Sequence, residues 1–228
     1  MNDIFEMLKK NRLFSELPEG VIKDIIIPNG KILDFKEKTT VFFSQDIIDH
    51  FLILVSGKVK LVYYSESGEQ DIRNLITAPG IVGIDLICTR TRTSPYQAIA
   101  VENSELFSFP SEIILKQGLV PENLRWICIQ NLLMLISQVN MQNEYRLQIL
   151  TRHSIRERVL VYLTMQAKKR NSLTFTIPYS RDEMASFLSV NRSALSHELG
   201  KLKAEGIIDF SKNRFRLLNS RNLSDQGL

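Results

Sequence analysis

The stretch Asn191-Arg192-Ser193-Ala194-Leu195-Ser196-His197 gathers, within seven residues, side chains suited to reading a nucleic-acid edge. Arg192 is a forked cation that can grip guanine or a phosphate, Ser193 and Ser196 can bond either, and His197 can donate or accept at a base edge. At helical spacing, residues 192, 193, 196 and 197 share one face, and Leu195 and Leu199 occupy the face that must pack inward. Ser180, Arg181, Lys201, Lys212, Arg214 and Arg216 are spaced around this stretch so as to neutralise phosphates. The competing reading is a solvated basic face on a small packing domain. Catalytic chemistry finds little support. His50, His153 and His197 make no metal-ligand spacing, and the chain has no Gly-x-Ser-x-Gly, phosphate-binding glycine loop or paired-carboxylate motif.

The elements that would position these side chains follow from the local sequence. Ile155, Val159, Tyr162 and Leu163 predict a helix running into Lys168-Lys169-Arg170-Asn171, and Phe175 and Ile177 predict a short strand before Pro178. Ser180-Arg181-Asp182-Glu183 is a capping box: the Ser hydroxyl takes a free N–H of the first turn and the Glu reaches back to another. Met184, Phe187 and Leu188 continue that helix. Ser189-Val190-Asn191 breaks the pattern, Asn191 caps a second helix carrying Leu195, Leu199 and Leu202, and Gly206 ends it. Ile207–Phe210, a Ser211-Lys212-Asn213 turn and Phe215–Leu218 predict a hairpin. Two helices joined by such a turn, backed by a hairpin, make a winged helix-turn-helix whose second helix enters the DNA major groove.

Charge separates the two ends of the chain. Of 29 Lys and Arg and 25 Asp and Glu, the residues from Asn143 onward hold 15 basic against 8 acidic, leaving 14 against 17 in residues 1–142. A net +7 behind a net −3 is the asymmetry expected when one part meets a polyanion and the other does not, although a chance surface imbalance gives the same sum. At 228 residues, 44% hydrophobic and 24% charged, the chain can bury a core. No apolar run reaches the roughly 18 residues of a membrane span. The acids in Met1-Asn2-Asp3-Ile4-Phe5-Glu6 do not suit a secretory signal, and Cys88 and Cys128 cannot build a disulfide framework. A cytoplasmic protein is expected.

Upstream, Ile4, Leu8, Leu13, Phe14, Leu17, Val21 and Ile25 have helical spacing, and from Lys31 to about Ser111 short apolar runs alternate with Gly and Pro turns. Phe51–Val55, Val59–Tyr63, Ile72–Ile76, Ala98–Val101 and Leu106–Phe109 read as strands of a sandwich or small barrel. From Leu119 to Leu150 there is no glycine, and Pro121 lies near the start, where a helix tolerates it. Two adjacent stripes run along this helix, Cys128-Leu132-Leu135-Val139-Gln142-Arg146-Ile149 and Ile129-Leu133-Ile136-Asn140-Asn143-Leu147-Leu150. So wide an apolar arc must bury two faces. Cys128, Leu132, Leu135, Val139 and Gln142 are the candidate dimer seam; a single core helix in a monomer is the alternative.

The order of parts resembles the Crp/Fnr (cyclic-AMP receptor protein) family of bacterial transcriptional regulators, over nearly the whole chain. Phe51-Leu52-Ile53-Leu54-Val55-Ser56-Gly57-Lys58-Val59-Lys60-Leu61, with Gly68, Gly80 and Gly83, matches the family's glycine-punctuated barrel, and Val190–Ser196 followed by Glu198-Leu199 resembles its reading helix. The resemblance implies an α+β chain: an antiparallel jelly-roll β-barrel of cyclic-nucleotide-binding type with N-terminal helices over 1–117, a dimerisation helix over 118–150, and a winged helix-turn-helix over 151–228. It further implies a homodimer on a near-palindromic double-stranded DNA site, with RNA polymerase as a further partner and no membrane association.

The sensor departs from the family's cyclic-AMP pattern. Where a Gly-Glu would hold the ribose, this chain has Gly83-Ile84-Asp85-Leu86, and where an Arg-Ser would hold the phosphate it has Ser94-Pro95, with Arg90 and Arg92 upstream. Asn143-Glu144 replaces the hydroxyl pair of the cyclic-AMP receptor. Without a guanidinium the phosphate loses its strongest contact, so cyclic AMP is not expected and the effector is unidentified. Gly83, Asp85, Leu86, Arg90, Arg92 and Ser94 are the candidate effector residues. Two cysteines fall short of the four thiolates of the family's usual iron–sulfur cluster, haem lacks an evident ligand, and no cofactor or metal is predicted. His197 and Ser193 stand where the family often has Arg and Glu, and Ser189 replaces a common turn glycine. A sensor module acting through protein contacts rather than DNA is the alternative function.

Overall fold

The computed structural model describes residues 2–64, 68 and 70–218, and these fall into two compact units divided between Gln142 and Asn143. The long helix begins in the first unit and ends in the second.

The first unit opens with α1 (Asn2–Lys9), a 3-10 turn (Arg12–Phe14) and a π-helical turn (Val21–Ile26). Asn11 caps the 3-10 turn by accepting from the Leu13 N–H at 2.9 Å. Eight strands follow: β1 (Lys31–Phe35), β2 (Thr40–Phe42), β3 (His50–Ser56), β4 (Lys58–Tyr64), β5 (Gln70–Thr77), β6 (Ile81–Val82), β7 (Gln97–Ala100) and β8 (Ser104–Pro110). They make two antiparallel four-stranded sheets, ordered β1-β8-β3-β6 and β2-β7-β4-β5. First pairs with last, second with seventh, third with sixth and fourth with fifth, the nesting of a jelly roll. The expected strands are all present. Most of the connection from β4 to β5, residues 65–67 and 69, lies outside the described residues.

Gly57 makes the step from β3 to β4 possible. Its φ is +89°, and a Cβ there would lie 2.3 Å from Ser104 Oγ, so only glycine fits. Two short helices that the sequence pattern did not suggest, α2 (Ile84–Ile87) and α3 (Glu112–Leu115), close the unit before α4 (Glu122–Leu150). One core cluster joins Phe51, Phe107 and Phe109 of the first sheet to the N-terminal helices and α4; the other, around Leu54, Leu61, Tyr96 and Leu106, fills the space between the sheets.

Two residues of the seam expected on α4 are drawn into the unit's own core. Cys128 and Leu132 are buried in the unit's own core, Leu135 and Val139 pack against it, and Gln142 accepts a long bond from Asn74 at 3.4 Å. Asn131, also buried, donates to the Leu13 and Ser15 carbonyls. The start of that stripe is therefore consumed within the chain, while Leu135 and Val139 are half-buried and Gln142 is exposed. The exposed apolar side chains of the same segment, Trp126, Leu133, Met134 and Met141, lie on the opposite arc.

The second unit holds α5 (Ile155–Arg170), β9 (Thr174–Thr176), α6 (Arg181–Phe187), α7 (Arg192–Ala204), β10 (Ile208–Ser211) and β11 (Arg214–Leu217). Capping boxes start both α5 (Ser154 and Glu157) and α6 (Ser180 and Glu183). Gly206, at φ +68°, ends α7: its N–H bonds the Lys203 carbonyl and the Ile207 N–H bonds that of Leu202. The expected hairpin is β10–β11, and β9 adds to β11 as a third strand, stacking Phe175 on Phe215.

Candidate nucleic-acid interface and sensor interior

Helix α7 buries Leu195, Leu199 and Leu202, which leaves Arg192, Ser193, Ser196, His197 and Lys201 exposed along one side. An ion-pair clamp, a guanidinium on the preceding turn and a cap set its pose. Arg156 of α5 reaches Glu205 through Nη1 at 3.0 Å and Glu198 at 3.4 Å, clamping the helix from behind. Arg158 donates to the Leu188 and Ser189 carbonyls, each at 3.1 Å, and so holds the turn between α6 and α7. Ser189 sits there at φ +51°, the left-handed region that favours glycine. Asn191 Oδ1 accepts from the Ser193 N–H at 2.8 Å and from Ser193 Oγ at 2.5 Å.

The remaining expected contacts divide. Lys212 and Arg214 are exposed on the wing, as is Arg216, while Ser180 Oγ is the α6 cap and accepts from the Glu183 N–H. Arg181 is half-buried: its guanidinium lies over Phe210 and Phe215, 5.1 and 5.5 Å from the ring centres, and donates to the Lys212 carbonyl at 2.9 Å. Burial against these rings lowers its pKa. Its role is to tie α6 to the wing that carries Lys212 and Arg214. The sequence reading missed Arg156 and Arg158, whose partners lie 30 to 49 residues away and leave no local signal. It also missed Asp182, whose Oδ1 lies 3.0 Å from Arg192 Nε.

In the first unit the effector candidates do not converge. Leu86 is core, and Gly83 turns the chain into α2 at φ +73°. Arg90 is on the surface, and Arg92 is half-buried at φ +53°, its carbonyl accepting from Ile48. Ser94 is fully buried, and its hydroxyl donates to the Tyr96 carbonyl at 2.7 Å. Asp85 does find partners. Its Oδ2 pairs with Arg73 Nη2 at 2.8 Å and its Oδ1 accepts from Tyr96 Oη at 2.6 Å, while the Arg73 guanidinium lies 4.5 Å from the Tyr96 ring centre. Burial, then Asp85, pushes the Tyr96 hydroxyl well above the usual phenol range. Burial opposes the charge on Arg73, but Asp85 outweighs it and holds the guanidinium protonated. A cyclic nucleotide needs a guanidinium and a hydroxyl for its phosphate. Here the interior guanidinium is committed to Asp85 and the Ser94 hydroxyl to backbone, so these residues do not fit one. The Cys88 thiol is raised by burial against the pull of Arg92, and burial pushes Cys128 up to about 11, which leaves neither a ready thiolate. Among the described residues, no cluster of three His, Cys, Asp or Glu could hold a metal ion, and no helix is long and apolar enough to cross a membrane.

A jelly roll leading into a long helix and then a winged helix-turn-helix, with a solvent-facing Arg-Ser-Ser-His row on the reading helix, defines a DNA-binding regulator with a sensor-type front half. Two family models match, a cyclic nucleotide-binding domain over residues 32–117 and a Crp-like helix-turn-helix domain over 157–225. The chain belongs to the Crp/Fnr family of DNA-binding transcriptional regulators. It is 26% identical over 202 residues to the global nitrogen regulator of Synechococcus elongatus, covering 86% of this chain and 89% of that protein. To the transcriptional activator protein FnrA of Stutzerimonas stutzeri it is 21% identical over 205 residues, 88% of this chain and 81% of the other. Its fold is similar to that of the c-di-GMP responsive regulator CLP of Xanthomonas campestris, with a TM-score of 0.69 at 16% identity over 89% of this chain and all of that one. FixK2 of Bradyrhizobium japonicum has a TM-score of 0.66 at 15% identity, covering 86% and 96%.

Proposed function

We propose that the protein is a homodimeric, cytoplasmic regulator whose two α7 helices read half-sites of a near-palindromic DNA sequence, with RNA polymerase as its partner in transcription. The observation that carries this is the exposed Arg192–Ser193–Ser196–His197 face, rimmed by Lys201, Lys212, Arg214 and Arg216 and backed by a clamped, fully packed helix. A two-fold dimer presents its heads about 34 Å apart, one turn of DNA. The dimer contact is the outer arc of α4. Trp126, Leu133 and Met134 are 57–59% exposed and Met141 is 49% exposed, and a second copy of the same helix would cover that apolar face. The jelly roll receives the signal, an effector other than a cyclic nucleotide, and the signal shifts the population of dimers whose heads are correctly spaced.

The test is binding to the DNA upstream of the protein's own coding sequence at two salt concentrations, with random DNA as competitor. Four cations per protomer give about eight phosphate contacts, so a rise from 50 to 200 mM salt should weaken binding by roughly 10³- to 10⁵-fold. Salt-insensitive binding, or no preference over random DNA, would sink the reading. Light scattering of Leu133→Glu should show a monomer if the outer arc is the seam.

A further inference from the structure

We propose that Asp182 is a specificity-determining residue that aims Arg192 at guanine. The proposal rests on the DNA-reading role of α7. Asp182 stands at the second position of α6, where a carboxylate is favoured by the helix dipole whatever its neighbours, and Arg192 is the first residue of α7. Their side chains meet across the turn, Nε to Oδ1 at 3.0 Å, and both remain about two-thirds exposed on the reading surface.

The placement stands out because the neighbouring acids turn elsewhere. Glu183 reaches back to the Ser180 N–H at 2.7 Å, Glu198 and Glu205 face Arg156, and Asp209 pairs with Lys203 at 2.7 Å. Asp182 alone of these points a carboxylate at a base-reading side chain. A carboxylate on a DNA-binding face repels phosphate, so its position calls for a compensating gain. The chemistry of the fork supplies one. With Nε taken, the guanidinium is held against rotation and its two terminal nitrogens form a fixed pair of donors. That pair matches the O6 and N7 acceptors of guanine; adenine offers a donor in place of one acceptor. Asp182 also lowers the attraction of this corner for any nearby phosphate. It therefore acts twice in favour of discrimination, once by aiming the donor pair and once by weakening indiscriminate binding.

The experiment selects duplexes from a random-sequence library with the full-length protein. It then measures affinity for the selected duplex, for single-base variants of it and for an unrelated duplex. Arg192→Ala should identify a guanine whose preference is lost. Asp182→Ala should lower that same preference by on the order of 5- to 10-fold while tightening binding to unrelated DNA by roughly two- to fivefold. Asp182→Asn keeps an oxygen that can accept from Nε and should retain part of the preference, and it separates aiming from any weakening of α6. In an Arg192→Ala background, Asp182→Ala should tighten binding to all duplexes alike and leave base preference unchanged. Undiminished guanine preference in Asp182→Ala overturns the proposal, as does an equal loss of preference with Arg192 absent, or a selected site in which Arg192→Ala alters no guanine. A wild-type protein that selects no sequence overturns the DNA-reading role itself, and the proposal with it.

Discussion

Asp85→Asn puts the interior of the jelly roll to the sharpest test. The amide keeps the size of the carboxylate and can still accept from Tyr96, but it removes the charge facing Arg73, whose side chain is only 11% exposed. Stranding a buried charge costs about 3–5 kcal/mol. Asp85 is itself 22% exposed, and that access to water places the expectation near the lower bound, about 3 kcal/mol. Tyr96→Phe deletes a hydrogen bond to a carboxylate, worth about 1.5–3 kcal/mol, but keeps the ring against Phe42 and Tyr63, so about 1.5 kcal/mol is expected. Replacing both charged partners, Arg73→Leu with Asp85→Leu, leaves no stranded charge, only the Tyr96 hydroxyl without its acceptor, and should cost much less than the two single changes added together. Peptide-resolved hydrogen exchange on the full chain reads this directly, because β5 carries Arg73 and β7 begins one residue after Tyr96. At 1.4 kcal/mol per tenfold, the most protected amides of these strands should exchange roughly 100-fold faster in Asp85→Asn. An acceleration below about fivefold, or a double variant whose cost equals the sum of the single ones, would refute the view that the pair is a buried and mutually dependent unit.

Three further outcomes are expected. Ser180→Ala removes the acceptor for the Glu183 N–H and should cost about 1 kcal/mol in urea unfolding of the second unit, with a larger loss of DNA affinity if the start of α6 shifts. Glu19 bonds Lys9 and Lys23, which lower its pKa from 4.5 to about 2; a folded pKa below the unfolded one gives stability that is present above pH 4.5 and lost as pH falls towards 2. That acid-side loss, followed by circular dichroism, should shrink in Lys9→Ala with Lys23→Ala. Burial holds Cys128 as a thiol to about 11, so iodoacetamide at pH 7.5 should label Cys88 slowly and Cys128 only in denaturant, as intact mass will show.

The second unit was legible because its signals are local. A capping box, an Asn cap, a terminal Gly and an inward Leu195–Leu199 pair all act within a turn or two, and each appears where its residues stand. The first unit was harder for a physical reason. Strand β3 is buried on both faces through Phe51–Leu54, which erases the period-2 signal, and Lys31–Phe35 is an edge strand with no fully buried residue and no clean alternation. The Arg73–Asp85–Tyr96 network is a product of topology, since 11 and 12 residues separate Asp85 from its partners and only the folding of β5, α2 and the start of β7 onto one another brings them together.

The seam on α4 shows where periodicity stops being informative. At 29 residues and about 1.5 Å each, the helix runs about 44 Å and carries apolar residues around much of its circumference, so a 4–3 stripe can be drawn on either side. Burial separates them. The inner arc uses Cys128, Leu132 and Val139, with Asn131 spending its amide on the two carbonyls of the N-terminal turn. The outer arc holds Trp126, Leu133, Met134 and Met141, large and partly flexible groups that a fixed internal core would have trouble packing but that a second helix can meet by adjusting rotamers. A seam built from such residues can settle in more than one packing at small cost. That is the property a long helix needs if a signal from the jelly roll is to change the spacing of two reading heads.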